Sequence, residues 1–399
     1  MTSNNSKSTI KNDEVIAHSR RNFVKSAGAA LAVLSFPMGL SFSAEAKSKN
    51  SPKIVWVLLR GALDSLHTVV PTFDSEYALH RPKLSTSFKK PLLPIDNGFK
   101  LNPALVNMHQ WYKEKSMLPI VAVSSGYQQR SHFDGQDYLE SGKSHIDHDS
   151  GWLARAINIK QKKAVAIART TPISLRSGGD VNSWYPSKLK DASDDIYLSL
   201  QKLYQYDEAL KEKLNSGLEV KGLVDTKSGV KGKRQGQFIE LSKSCAKLMQ
   251  GKDGVDCAML ELGGWDTHNN QAGRLDQKLT ELDTGLAELK IGLGDDWHNT
   301  IVIVGTEFGR TVKENGTGGT DHGTGSAMFL AGGAVAGGKV LGAWPGLKTE
   351  QLFEQRDLQP TSSSFSWIAT VLAQHWQFTE QEILHVFPDI KPYEYNVTS

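Results

Sequence analysis

Ile54-Val55-Trp56-Val57-Leu58-Leu59 is an unbroken apolar run, rich in β-branched residues and bounded by Pro52 and Gly61. Strict alternation would mark a strand with one wet face. An unbroken run predicts a strand buried on both faces, as in a parallel sheet covered by helices. Four further runs have the same character: Leu118–Val123, Val255–Leu262, Thr300–Gly305 and Met328–Gly333. Each ends in glycine or a polar cluster. Between them the period changes, and Leu275, Leu279, Leu282, Leu286 and Leu289 form the stripe of a helix lying on a sheet. Strands alternating with helices predict an α/β fold, a mostly parallel sheet sandwiched between helices.

Residues 178–242 depart from this pattern. They are rich in Lys, Ser, Asp and Gln, with helical fragments such as Asp194–Asn215 and no long apolar run. The pattern predicts an inserted helical segment or cap, with a flexible piece near Lys227–Lys233. Ser85–Asn102 reads as an irregular loop. No internal repeat is present.

Ahead of the first strand the pattern has another meaning. Ser19-Arg20-Arg21-Asn22-Phe23-Val24-Lys25 is a twin-arginine heptad, followed by a mildly apolar run from Ala27 to Phe42 and by Ala44-Glu45-Ala46, an A-x-A cleavage pattern. This order predicts a leader over residues 1–46, cleaved after Ala46, that delivers an already folded protein to the periplasm through the twin-arginine translocase. The expected mature domain, 47–399, has roughly 350 residues, enough to bury a large core without staples.

Charge narrows the partners. With 46 basic and 43 acidic residues, the balance does not indicate nucleic acid. No second apolar run reaches the ~18 residues of a bilayer span, so no stable membrane span is expected in the mature form. The two cysteines, Cys245 and Cys257, lack zinc-pair spacing. A disulfide is open to them in an oxidising compartment, but Cys257 lies in a core run and two buried thiols are favoured.

In an open α/β sheet, ligands bind beyond the carboxyl ends of the strands. Four successive runs here deliver Asp, Glu, His, Ser or Arg beside glycine at that end: Leu59-Arg60-Gly61-Ala62-Leu63-Asp64, Arg130-Ser131-His132-Phe133, Glu261-Leu262-Gly263-Gly264-Trp265-Asp266-Thr267-His268, and Thr306-Glu307-Phe308-Gly309-Arg310 with the glycine-rich loop to Asp321-His322-Gly323. Singly, each has a structural explanation. Asp64 and Ser131 suit helix N-caps, Asp321-His322-Gly323 a turn, and Glu307 with Arg310 an ion pair. Together their oxygens and imidazoles suit zinc, manganese or magnesium. Ser131 would be a nucleophile beside such a site, and Arg130 would suit a tetrahedral oxyanion. The other histidines read as surface or packing residues.

In this order the same motifs resemble the twin-arginine-exported family called domain of unknown function 1501, over about Lys53 to Gly346. That family looks like a branch of the alkaline phosphatase and sulfatase superfamily. The resemblance implies an alkaline-phosphatase-like fold and a divalent metal, zinc or manganese, held among Asp64, Asp266, His268, Glu307, Asp321 and His322. It also implies catalytic roles for Ser131, Arg130 and Arg310, with Glu261 resembling an additional carboxylate. Three departures stand out. Phe308 occupies the place of a superfamily histidine, the spacing from Asp266 to His268 is shorter than in metal-binding phosphatases, and no Cys/Ser-x-Pro-x-Arg sulfatase motif is present.

The expected function is a periplasmic metal-dependent hydrolase of phosphate esters, with sulfate esters second, on a small anionic ester or carbohydrate-linked substrate. The alternative is a catalytically inactive binding or interaction protein on the same fold, in which Trp152, Trp184, Trp265 or Trp344 would suit sugar stacking. No G-x-S-x-G elbow is present to support carboxyl-ester hydrolysis.

Overall fold

The computed structural model describes residues 51–186, 194–223, 236–251 and 254–399. The expected leader and the piece at Lys227–Lys233 lie outside the described residues.

Eleven strands are described: β1 (Lys53–Arg60), β2 (Val69–Pro71), β3 (Leu93–Pro94), β4 (Phe99–Leu101), β5 (Met117–Ser124), β6 (Ala164–Ile167), β7 (Val181–Ser183), β8 (Cys257–Gly263), β9 (Thr300–Thr306), β10 (Ser326–Ala331) and β11 (Ser362–Ser363). Eight form the main sheet in the order β11-β5-β10-β9-β1-β8-β6-β7. The pairs β1–β8, β1–β9, β6–β8, β6–β7 and β11–β5 are parallel, and only β10 runs against its neighbours. The expected mostly parallel α/β sheet is what the chain forms.

The continuous apolar runs are explained by which way their residues point. In β1, Val55, Val57 and Leu59 face one core, while Ile54, Trp56 and Leu58 face another. The helices are α1 (Ser65–Thr68), α2 (Glu76–His80), α3 (Val106–Lys113), α4 (His132–Ser141), α5 (Trp152–Ile159), α6 (Asp194–Leu203), α7 (Glu208–Leu223), α8 (Gln237–Met249), α9 (Gln271–Leu293), α10 (Ser364–His375) and α11 (Glu380–Val386). α3, α8 and α9 cover the first face, and α9 buries the leucine stripe from Leu275 to Leu289 there. α5, α10 and α11 cover the second. Cys245 belongs to the first core and Cys257 to the second, so the sheet separates the two buried, free thiols.

Three sequence expectations change in detail. Ser85–Asn102 holds β3 and β4, which pair with β2 in a three-stranded antiparallel sheet. Within 178–242, Val181–Ser183 is the edge strand of the main sheet, and Phe238 and Leu241 of α8 enter its core, while α6 and α7 stay largely outside it. Trp152 and Trp265 are fully buried, and Trp344 packs edge-on against Phe73 and Phe99, so these rings support the core. Among the described residues no helix is long and apolar enough to cross a membrane.

Candidate metal centre

β1, β8 and β9 are parallel neighbours, so the loops that follow them emerge together at one edge of the sheet. The β8 loop brings Asp266 and His268. The β9 loop brings Glu307 and Arg310, and a return bridge pairs Arg310 with His322. α4 begins beside them with Ser131 as its N-cap and His132 as its first residue.

Three imidazoles converge on one carboxylate oxygen. Asp266 Oδ1 lies 3.4 Å from His132 Nε2, 3.0 Å from His268 Nε2 and 3.2 Å from His322 Nε2. The Nε2 atoms of His268 and His322 are themselves 3.0 Å apart. Each ring is held from behind at Nδ1 by an oxygen that can only accept: Glu307 Oε1 for His132 at 2.7 Å, Asp321 Oδ1 for His268 at 3.1 Å, and the Arg130 carbonyl for His322 at 2.8 Å. These partners assign the hydrogen to Nδ1 in each ring when it is neutral. With the rings neutral, three Nε2 lone pairs face one carboxylate oxygen at 3.0–3.4 Å with no hydrogen to share. Nε2 of His132 is buried without a hydrogen-bond partner. The arrangement calls for positive charge at its centre.

Part of that charge comes from Arg310, which is almost fully buried and donates to Asp266 Oδ1 at 2.7 Å and to Thr320 Oγ1 at 3.2 Å. Burial alone would raise the Asp266 pKa, but the Arg310 hydrogen bond and charge, with positive charge on His268 and His132 when they are protonated, outweigh it and bring it to about 2. Burial would lower His132. The Glu307 hydrogen bond and charge, together with Asp266, outweigh that and hold it above the usual histidine value. His322 is held below its usual value by burial and by the His132 and Arg310 charges, against the Arg130 carbonyl and Asp266. Imidazoles backed by carboxylates or a backbone carbonyl and directed at one point carry the supporting shell of metal-binding histidines. His132, His322 and Asp266 lie within reach of a single ion, and His268 adjoins them.

The other residues singled out in the sequence take different places. Asp64 is buried in an ion pair with Arg81, whose Nη1 donates to both carboxylate oxygens at 2.9 and 2.7 Å, and it also caps α1 through Leu66 N and His67 N. Glu307 is fully buried, and its Oε1 accepts from Gly61 N at 2.8 Å and Ala62 N at 3.1 Å as well as from His132. It orients a ring and a loop. Gly61 has φ of +121°, and a side chain there would come within 2.6 Å of Asp266 N, which is why this loop needs glycine. Asp321 stands behind His268. Arg130, with φ of +56°, directs its guanidinium to Asp357 at 2.9 Å and to Glu354, and offers the site only its carbonyl. Ser131 Oγ accepts weakly from Asp134 N at 3.5 Å. Glu261 pairs with Arg60 at 2.9 Å.

His132 is the residue the sequence reading passed over, taking it only as a flank of Ser131. The available signal was its place at the first turn of a helix after a strand, opposite a strand-end glutamate. Phe308 is almost fully buried and stacks on the His132 ring at 4.9 Å between centroids, so it forms the floor on which the imidazole lies.

Among solved structures, the chain is similar to the alkaline phosphatase from the Antarctic bacterium TAB5, with 13% identity and a TM-score of 0.32 over 71% of this chain and 92% of that one. It is also similar to the PsFucS1 sulfatase from Pseudoalteromonas sp., with 11% identity and a TM-score of 0.34 over 84% of this chain and 68% of that one. A protein in the alkaline phosphatase superfamily from Vibrio parahaemolyticus gives 11% identity and a TM-score of 0.33 over 83% and 68% of the two chains. No curated protein matches the chain. Residues 143–387 match the family model described as protein of unknown function (DUF1501), and the chain belongs to that family.

Proposed function

We propose that the chain is a metal-dependent hydrolase of phosphate esters, with sulfate esters second, acting in the periplasm after twin-arginine export. The observation that carries this reading is the convergence of three Nε2 lone pairs on Asp266 Oδ1 at 3.0–3.4 Å, each imidazole fixed at Nδ1 by an oxygen. Imidazole with carboxylate suits zinc or manganese, and His132, Asp266 and His322 would hold one such ion and leave a coordination position open beside His268. Asp64, Glu307 and Asp321 support the centre without ligating it. A bound divalent cation would stabilise negative charge developing on an ester oxygen.

The rest of the chemistry falls to the chain. Ser131 precedes His132 at the N-terminus of α4, where unpaired backbone N–H groups and the helix dipole favour an anionic group. Its hydroxyl is the proposed nucleophile. Glu307 fixes the His132 ring, and Arg310 holds Asp266 in its ionised form. Arg130 positions His322 through its carbonyl.

One observation favours a binding protein instead. Arg310 already balances the Asp266 charge, so protonated histidines could complete the cluster without a metal. Hydrolysis assays with para-nitrophenyl phosphate and sulfate on zinc- and manganese-loaded protein separate the two. The hydrolase reading expects turnover that Ser131→Ala and Asp266→Ala abolish while folding is kept. No turnover of either ester by metal-loaded, folded protein contradicts it.

A further inference from the structure

Asp321 has two sides. Oδ1 holds His268, while the half-exposed side chain also borders an open cleft of about 580 Å³. That volume is in the range of ~300–1,000 Å³ typical of small-molecule sites. The cleft therefore starts one imidazole away from the metal centre, whose His268 and Asp266 side chains are both more than two-fifths exposed.

Its lining is balanced in charge, with Lys313 and Arg356 against Glu314 and Asp321. Several polar groups in it have no protein partner among the described residues: the Lys313 ammonium, the Gln355 amide and the Thr349 hydroxyl. His80 has one ring nitrogen bonded to the Leu347 carbonyl at 2.9 Å, which leaves the other as an acceptor. Donors and acceptors are thus both available, with no net charge to attract or repel an ion. Hydroxyl groups, which donate and accept at once, match such a lining. Leu79, 71% exposed, offers an apolar wall to the C–H face of a ring.

We propose that this cleft is the leaving-group subsite, and that it takes a polyhydroxylated ring, a sugar whose ester is cleaved at the neighbouring metal centre. The inference rests on the phosphoesterase reading of that centre. A sugar ester lies with its phosphate at Asp266 and the histidines, and its ring passes over His268 to hydroxyl contacts with Lys313, Gln355 and Asp321. Asp321 then links the two halves, since it orients His268 from one oxygen and faces the ring with the other.

The test uses calorimetric binding to zinc-loaded protein, so it does not depend on turnover. The probes are inorganic phosphate, ethyl phosphate and the 6-phosphates of glucose, galactose and mannose. At least one sugar phosphate is expected to bind tenfold or more tightly than ethyl phosphate. The double variant Lys313→Ala/Gln355→Ala, both exposed positions, is expected to erase that preference while leaving phosphate affinity and metal content unchanged. Phosphate binding with no sugar preference, or a preference that survives the double variant, overturns the subsite alone. Failure of metal-loaded protein to bind phosphate or any ester overturns the phosphoesterase reading, and the subsite with it.

Discussion

Asp64→Asn separates a supporting role for Asp64 from a metal-ligating one. The carboxylate is 1% exposed and faces Arg81, which is 0% exposed and whose remaining donors go to the Val312 carbonyl at 2.7 Å and the Thr311 carbonyl at 2.8 Å. Asparagine keeps the shape and an oxygen for the α1 cap, but leaves the guanidinium buried without a counter-charge. Removing one partner of a buried pair costs about 3–5 kcal/mol. At the ~2 °C per kcal/mol expected of a large domain, the melting temperature falls by roughly 6–10 °C. Replacing both partners together, Asp64→Leu with Arg81→Met, is expected to recover most of the loss, because no charge is then stranded. Thermal melts followed by circular dichroism read the stability, and elemental analysis of the same samples reads the metal. The expectation is a large loss of stability with metal content per folded molecule unchanged. A variant that keeps its stability and loses its metal refutes the reasoning and returns Asp64 to the ligand set.

Two more outcomes follow from the geometry. Burial, helped by the Glu261 charge and opposed by the Ser174 N–H and Arg60, raises Glu140 to about 7. The folded state therefore keeps a proton that the unfolded chain loses above about 4.5, so the contribution of Glu140 to stability falls as pH rises from about 4.5 to 7 and is flat beyond. Glu140→Gln is expected to match wild type near pH 4 and to exceed it by about 3 kcal/mol above pH 7, measured by urea unfolding at each pH; a difference independent of pH contradicts the assignment. Glu307→Gln keeps an acceptor for Gly61 N and Ala62 N but removes the charge behind His132, so zinc affinity is expected to fall about 10–100-fold with the fold retained; unchanged affinity in competition with a chelator argues against a positioning role.

The layers of the fold were legible because both-face burial leaves unbroken apolar runs, as in Ile54–Leu59, and because the leucines of α9 keep strict helical spacing. β2, β3 and β4 were not legible. Strands of two or three residues carry no period, and their pairing is decided by tertiary contacts. At the site, strand ends with glycine pointed to the edge where Asp266, His268 and His322 meet. The partners of the remaining residues could not be read, since they lie far off in sequence. Arg81 follows Asp64 by 17 positions, and Asp357 follows Arg130 by 227. His132 escaped notice because its role depends on the phase of α4, which turns its ring over Phe308 and toward Glu307 while Phe133, the next residue, is 78% exposed.

The most direct test of the account is cobalt substitution, comparing wild type with His132→Ala. The proposed three-ligand centre with an open fourth position predicts one tightly bound Co(II) per chain, with the intense visible absorption of a tetrahedral site, and loss of that absorption in His132→Ala while the protein stays folded. A folded wild-type protein that binds no cobalt, or a spectrum that His132→Ala leaves unchanged, contradicts a metal centre built on His132, Asp266 and His322.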